Sequence, residues 1–177
     1  MTDRKVRFLT TEDTECIGGA MADKDKRAYT TKQLGDAGEM LVAAELTLAG
    51  VPALKVPDNW PCYDIIAQSE CNGVKAISVK RCTYKKGAAF VRYRSSDKFD
   101  WLAIVVLDCP EAMGSDRCIY LVPRTVANRK ARIPKKGTKH ESNRYWRIDE
   151  IEQKFQKYKS NFSLHQKGKK LNVSTCE

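Results

Sequence analysis

The pattern of apolar and polar positions predicts a helix near the start of the chain. Residues 31–49 carry leucines and a valine at helical spacing, which gives the segment one broad apolar face. Thr30 or Thr31 is suited to be its N-cap, and Gly50 is suited to end it. Gly35 and Gly38 are poor helix formers, so we expect them to permit close approach of a strand or a ligand.

Short apolar runs after this helix predict a β-sheet. The predicted strands cover residues 51–56, 63–68, 75–81, 89–93, 101–107 and 118–122. Asn72-Gly73 favours a tight hairpin, and residues 89–93 continue it as the third strand of a meander. The run 101–107 is wholly apolar, which is typical of a strand buried on both faces. Residues 146–159 return to helical spacing. The pattern predicts an α/β or α+β fold, with a mixed sheet flanked by helices.

The chain length and composition favour a single domain. The 177 residues divide into an arm at 1–28, a domain at 29–159 and a basic tail at 160–177, and we expect both ends to be loosely held. No signal peptide or membrane-spanning run is present, which predicts a cytoplasmic protein without a membrane partner. The seven cysteines are odd in number and scattered, which favours reduced thiols over a zinc site.

The charge balance points to a polyanionic partner. Lysine and arginine number 32 against 22 acids, a net charge of +10, and nucleic acid is the first candidate. Two segments are densely basic, so we expect phosphate contacts there, although a merely solvated charged loop is the structural alternative. The candidate residues are Lys85, Lys86, Arg124, Arg129, Lys130, Arg132, Lys135, Lys136 and Lys139.

Two charges in the predicted hairpin are candidates for chemistry. Asp64 begins the apolar strand and Lys80 ends its partner, and a buried charge costs several kcal/mol (roughly) unless it is paired or metal-bound. A carboxylate that holds Mg²⁺ beside an ammonium that orients water suits metal-assisted phosphodiester hydrolysis. A structural ion pair on a solvated sheet face explains the same two residues. Glu39 on the helix is a further acid, and most glutamates at such positions are ordinary.

Four short motifs in order resemble the PD-(D/E)xK nuclease superfamily. They are Gly38-Glu39 on the helix, Tyr63-Asp64 before a strand, Ser78-Val79-Lys80 after the Asn-Gly turn, and Phe99-Asp100 before the apolar strand. The chain is most similar to the Holliday-junction-resolvase-like and intron-homing-endonuclease-like members. The resemblance covers residues 32–123.

The resemblance implies a restriction-endonuclease-like core and a metal-dependent DNA endonuclease that uses Mg²⁺ or Mn²⁺. Asp64 would be the central metal ligand, with Glu39 and the backbone carbonyl of Val79 beside the metal. Lys80 would lie near the attacking water. DNA would be the partner, and a homodimer or homotetramer is compatible with the family. Asp58 follows Pro57 in a literal Pro-Asp pair and is therefore an alternative to Asp64 as the motif's aspartate. It lies, however, in a proline-rich loop.

Ser78 departs from the family pattern, because an acid or glutamine usually stands two positions before the lysine. A hydroxyl binds Mg²⁺ far less well than a carboxylate. Three explanations compete. Glu39 supplies the second carboxylate, or another acid does (Glu45, Asp58 or Glu70), or the site is inactive and the fold serves as a DNA-binding or inhibitory module. A nuclease-mimicking or nuclease-blocking protein is a further alternative, and the basic balance disfavours DNA mimicry.

Overall fold

The structure, a computed structural model, describes residues 29–69, 73–87 and 89–164. The arm expected at residues 1–28 and most of the expected tail lie outside the described residues. So do Glu70 and Asn72, which leaves the expected Asn-Gly turn only partly described.

The chain forms three α-helices and seven β-strands within these residues. In chain order they are α1 (Thr31–Leu48), β1 (Ala53–Lys55), β2 (Ile65–Ser69), β3 (Gly73–Thr83), β4 (Phe90–Arg94), β5 (Trp101–Leu107), β6 (Arg117–Pro123), α2 (Arg124–Lys130), β7 (Asn143–Arg147) and α3 (Ile151–Phe155). Short 3₁₀ helices cover Glu111–Met113, Ile148–Glu150 and Gln156–Tyr158. None of the helices in the described part of the chain is long and apolar enough to cross a bilayer.

Five strands form a mixed sheet in the order β1-β2-β3-β5-β6. The β1–β2, β2–β3 and β5–β6 pairs are antiparallel, and β3 pairs with β5 in parallel. Helices cover the sheet, so the predicted α+β class with a mixed sheet flanked by helices is confirmed. β5 is buried on both faces, because alternate residues enter the two hydrophobic cores on opposite sides of the sheet.

Helix α1 closes one face of the sheet. Thr30 caps it, since its hydroxyl accepts the backbone N–H of Gln33 while the Gln33 side chain accepts the backbone N–H of Thr30. Val42 and Leu46 are fully buried against the sheet. A Cβ at Gly38 would lie 3.3 Å from the Cβ and Cγ of Arg81 on β3. The expected close approach of a strand therefore occurs at Gly38.

Two sequence predictions about β4 and the C-terminal part are wrong. β4 does not extend the central sheet but pairs with β7 in a separate two-stranded antiparallel sheet. Residues 146–159 are not one helix, because Trp146 lies on β7 and α3 covers only Ile151–Phe155. The expected apolar stripe is still buried, at Ile148, Ile151, Phe155 and Tyr158. Several short helices, in place of one long helix, bury this stripe.

Candidate functional site

The start of strand β2 positions the candidate aspartate, because Asp64 immediately precedes Ile65, the first residue of the strand. The last β2–β3 pair is Ile65 with Ile77, and the N–H of Asp64 donates to the carbonyl of Ile77 just before it. β3 continues to Thr83 without β2 beside it. The N–H of Val79 therefore faces an open edge, and the Asp64 carboxylate accepts it there.

The carboxylate of Asp64 is held by β3 through one oxygen. Its Oδ2 accepts the N–H of Val79 at 2.6 Å and the hydroxyl of Ser78 at 3.2 Å. Ser78 is 1% exposed. In an extended strand the N–H and C=O of one residue project to the same side, so the Val79 carbonyl lies on the side of Asp64. Ser78 thus contributes a donor to Asp64 where the family pattern has an acid.

Lys80 approaches the same carboxylate. Its Nζ lies 3.9 Å from Oδ2 of Asp64, and its side chain is one-third exposed. The structure brings together Asp64, Ser78, Val79 and Lys80, all of which sequence reasoning had selected.

Asp64 also lines a cavity of about 270 Å³ that we call the acidic cavity. Its acids come from three segments: Asp36 and Glu39 from one face of α1, Asp58 from the loop after β1, and Asp64. The remaining lining residues are Lys32, Gly35, Val56, Pro57, Asn59, Trp60 and Tyr63. Asp58, the rival aspartate, therefore shares this cavity with Asp64 and Glu39. Glu45 does not line it, and Glu70 lies outside the described residues.

Lys55 on β1 is the main cation among these acids. Its Nζ lies 2.8 Å from Oδ1 of Asp58 and 3.2 Å from both Oδ1 of Asp36 and Oε2 of Glu39. Lys32 pairs with Asp36 and Asp58 nearer the surface. Sequence reasoning missed Lys55, Asp36 and Lys32. The spacing of Lys32, Asp36 and Glu39 on one helical face was the available signal.

The acids of the cavity titrate differently because their surroundings differ. Burial raises the pKa of Glu39, the ion pair with Lys55 opposes that effect, and the charge of Asp64 adds to it. Hydrogen bonds from Lys32 and Lys55 lower the pKa of the exposed Asp58 to about 2. The hydrogen bond to Asp58 raises the pKa of Lys55, so this ammonium stays charged.

The donor set is compatible with Mg²⁺. Within residues 29–69, 73–87 and 89–164, no three acidic, histidine or cysteine side chains converge as a ready-made metal cage. Mg²⁺ is commonly held by one or two carboxylates and keeps several waters. Among the described residues, the hydrogen bonds and the ion pair of the Asp64 carboxylate all fall on Oδ2, and Glu39 lines the same cavity. Asp64 and Glu39 together satisfy that modest requirement.

A second, larger cavity of about 740 Å³ is lined in part by Lys80, and we call it the basic cleft. It is lined by Lys80, Arg92, Tyr93, Arg94, Ser96, Asp97, Lys139, His140, Ser142 and Asn143. Asp97 is the acid in this set, and one of its oxygens accepts the backbone N–H of Arg94. Arg92, Arg94 and His140 had not been selected from the sequence. Arg92 and Arg94 lie on β4, which the sequence analysis assigned to the central sheet, and His140 lies in the loop before β7.

The nine basic residues selected for phosphate binding divide into two groups. Three are engaged by the fold: Arg124 donates to the Ser95 carbonyl, Lys130 donates to the Lys154 carbonyl, and Arg132 pairs with Glu150. The other six are exposed and have no ion pair among the described residues: Lys85, Lys86, Arg129, Lys135, Lys136 and Lys139. Lys139 is the one of these nine residues that lines the basic cleft.

The chain has a structural likeness to a known protein at low sequence identity. No family model matches the chain, and no curated protein matches it significantly. Among solved structures the chain is similar to a bacterial homing endonuclease, I-Ssp6803I, at 17% sequence identity with a TM-score of 0.44. The likeness covers 63% of this chain and 84% of that chain.

Proposed function

We propose that this chain is a metal-dependent DNA endonuclease that hydrolyses phosphodiester bonds. The observation that carries the proposal is the 3.9 Å approach of Lys80, which lines the basic cleft, to Asp64, which lines the acidic cavity. A nucleic-acid backbone in the basic cleft would bring a phosphate up to the carboxylates. Phosphodiester hydrolysis needs that juxtaposition of cation-binding acids and anion-binding cations.

Each residue has a role that its surroundings support. Asp64 and Glu39 would hold Mg²⁺ or Mn²⁺, together with the Val79 carbonyl. When bound, such a metal lowers the pKa of water and neutralises charge on the phosphoryl oxygens. Lys80 would orient the attacking water by donating a hydrogen bond, while Ser78 and the Val79 N–H keep Asp64 in place. Lys139 and Arg94 would hold the DNA backbone in the cleft.

Nicking of supercoiled plasmid and cutting of branched DNA with Mg²⁺ or Mn²⁺ test the proposal. Asp64→Ala and Lys80→Ala should each abolish cutting while leaving DNA binding largely intact. Asp116→Ala and Lys157→Ala are matched controls, because both residues are exposed and lie outside the two cavities. Cutting that survives Asp64→Ala and Lys80→Ala unchanged would show that the catalytic assignment is wrong.

A catalytically degenerate nuclease fold that only binds DNA or inhibits a partner is the second candidate. Two observations favour it: Ser78 replaces an acid, and the Lys55 ammonium already neutralises Glu39. The two candidates differ in one experiment. If the wild type cuts no DNA with any divalent ion but Ser78→Glu does, the chain is a degenerate nuclease and the binding role is correct.

A further inference from the structure

Strands β4 and β7 form a separate two-stranded ribbon beside the basic cleft, which we call the β4–β7 ribbon. Its register runs from Phe90 opposite Arg147 to Arg94 opposite Asn143. Successive side chains of a strand point to opposite faces. One face carries Val91, Tyr93 and Trp146 into the core, and the other, outer face carries Phe90, Arg92, Arg94, Asn143, Tyr145 and Arg147.

The inner face anchors the ribbon rigidly. Trp146 is fully buried, its ring stacks on Tyr93 at 5.7 Å between centroids, and it meets Phe155 edge-on at 5.3 Å. Its Nε1 donates to the carbonyl of Lys130 at 2.9 Å. The hydroxyl of Tyr93 bonds to Asn128 on α2. A ribbon held in this way presents its outer face in a fixed position.

The outer face carries side chains of the types that read nucleic-acid bases in proteins. Arg92 and Arg94 are exposed, and no carboxylate in the described part of the chain pairs with either guanidinium. Asn143 lies opposite Arg94, and both line the basic cleft. Arginine binds guanine and asparagine binds adenine through paired hydrogen bonds in the major groove. Fold stability does not require two unpaired arginines here, so a polyanionic partner accounts for them better.

The dimensions of the ribbon fit the major groove. Five residues in each strand give a length of about 17 Å at roughly 3.4 Å per residue. The major groove of B-DNA is about 12 Å wide and admits a two-stranded β-ribbon. An adjoining cleft of about 430 Å³ extends this surface along Phe90, Tyr145 and Lys135. Exposed lysines therefore flank the ribbon where phosphates would lie beside the groove.

We propose that the outer face of the β4–β7 ribbon enters the major groove of double-stranded DNA and reads its sequence. Arg92 and Asn143 contact base edges, and Lys139 contacts a phosphate in the basic cleft. This inference rests on the proposed function in assuming that the chain binds duplex DNA. It adds the element that gives the enzyme its specificity, and it places that element next to Lys80.

Selection from a randomised duplex library tests the proposal, with binding measured without divalent metal so that no cutting intervenes. The wild-type chain should enrich a short motif. Arg92→Ala and Asn143→Ala should each lose preference at one position, by about 5-fold to 100-fold. Methylation of guanine N7 within the motif should interfere with binding, because N7 lies in the major groove. Arg117→Ala is the matched control, since Arg117 is exposed and lies outside both cavities.

Two further variants separate base reading from general charge. Arg92→Lys keeps the charge but loses the planar paired donors, so the preference should fall while the salt dependence of binding stays the same. Lys139→Ala should weaken binding to all sequences alike and reduce the slope of log K against log salt by about one. Both positions are exposed, so neither change should unfold the chain.

Three results would overturn the proposal and leave DNA binding itself intact. The wild type could bind duplex without enriching any sequence, or the motif could survive all the ribbon variants. The chain could also prefer single strands, with binding lost in Phe90→Ala and Tyr145→Ala, which would make the ribbon a stacking platform for bases. Absence of binding to any DNA would contradict the proposed function as well.

Discussion

The amide N–H of Val79 donates to Oδ2 of Asp64 across 2.6 Å, although fifteen positions separate the two residues. Strand β3 thereby fixes the carboxylate that sequence reasoning had selected as a metal ligand. Asp64→Ala leaves this N–H without its protein acceptor. We expect the free energy of unfolding to fall by about 1 kcal/mol, the lower end of the usual range, because Asp64 is 28% exposed and water can replace part of the bond.

Asp64→Asn is the matched variant, because its amide carbonyl can still accept the N–H of Val79. Urea unfolding should show a smaller loss of stability for Asp64→Asn than for Asp64→Ala, while metal-dependent cutting is lost in both. Equal losses of stability would mean that the Val79 hydrogen bond contributes nothing to the fold.

Ser78→Glu should make the fold depend on metal. A second carboxylate beside Asp64 in a buried position repels it, so the metal-free variant should melt at a lower temperature than the wild type. Mn²⁺ should raise the melting temperature of Ser78→Glu more than that of the wild type, because binding to the folded state alone stabilises it. Ser78→Ala is the control, and it should show no gain in metal response. An equal Mn²⁺ response in all three proteins would place the metal elsewhere.

Lys55→Gln should raise the affinity for Mn²⁺. The ammonium pairs with Glu39 at 3.2 Å, so it competes with a divalent cation for that carboxylate. Lys32→Gln is the control, since Lys32 pairs with Asp36 and Asp58 but has no ion pair with Glu39 in the described residues. Calorimetric titration should give a several-fold lower Kd for Lys55→Gln and a smaller change for Lys32→Gln. A weaker Kd in Lys55→Gln would show that Lys55 organises the acids and does not compete with metal.

Asp58 should contribute to the acid sensitivity of the fold. Hydrogen bonds from Lys32 and Lys55 lower the pKa of Asp58 from its ordinary value of 3.8 to about 2. The unfolded chain therefore binds this proton more readily than the folded chain does. The stabilisation from Asp58 is present above about pH 4 and is lost as the pH falls towards 2. Urea unfolding of the wild type and of Asp58→Asn should show a difference in stability that shrinks as the pH falls from about 4 to about 2. A constant difference would contradict the lowered pKa of Asp58.

Gly35 and Gly38 should respond differently to alanine. A Cβ at Gly35 meets nothing within 4 Å, so Gly35→Ala should stabilise the chain by roughly 0.5–1 kcal/mol through helix propensity. A Cβ at Gly38 would lie 3.3 Å from the side chain of Arg81, so Gly38→Ala should gain less or lose stability. Thermal unfolding of the two variants gives the comparison. Equal gains would mean that α1 and β3 do not pack closely at Gly38.

Local patterns determined a large part of this protein. The apolar spacing of residues 31–49 with Thr30 as its cap specified α1, and the continuous run 101–107 specified β5 as a strand buried on both faces. The positions of Asp64 and Lys80 in two strands separated by an Asn-Gly sequence predicted their approach, because that sequence favours a tight turn between paired strands. The sequence signals for these features are patterns of residues close in the chain, which periodicity reports directly.

Tertiary structure decided the rest. Alternation along residues 89–93 indicates that one face of β4 is buried, but it does not indicate which strand pairs with β4. In the structure that strand is β7, some fifty residues later. Trp146 lies in a strand because its ring packs there against Tyr93 and Phe155. Lys55 came to lie among Asp36, Glu39 and Asp58 because β1 packs beside α1. Pairing over long separations is chosen by packing across the whole molecule, and no local pattern carries that information.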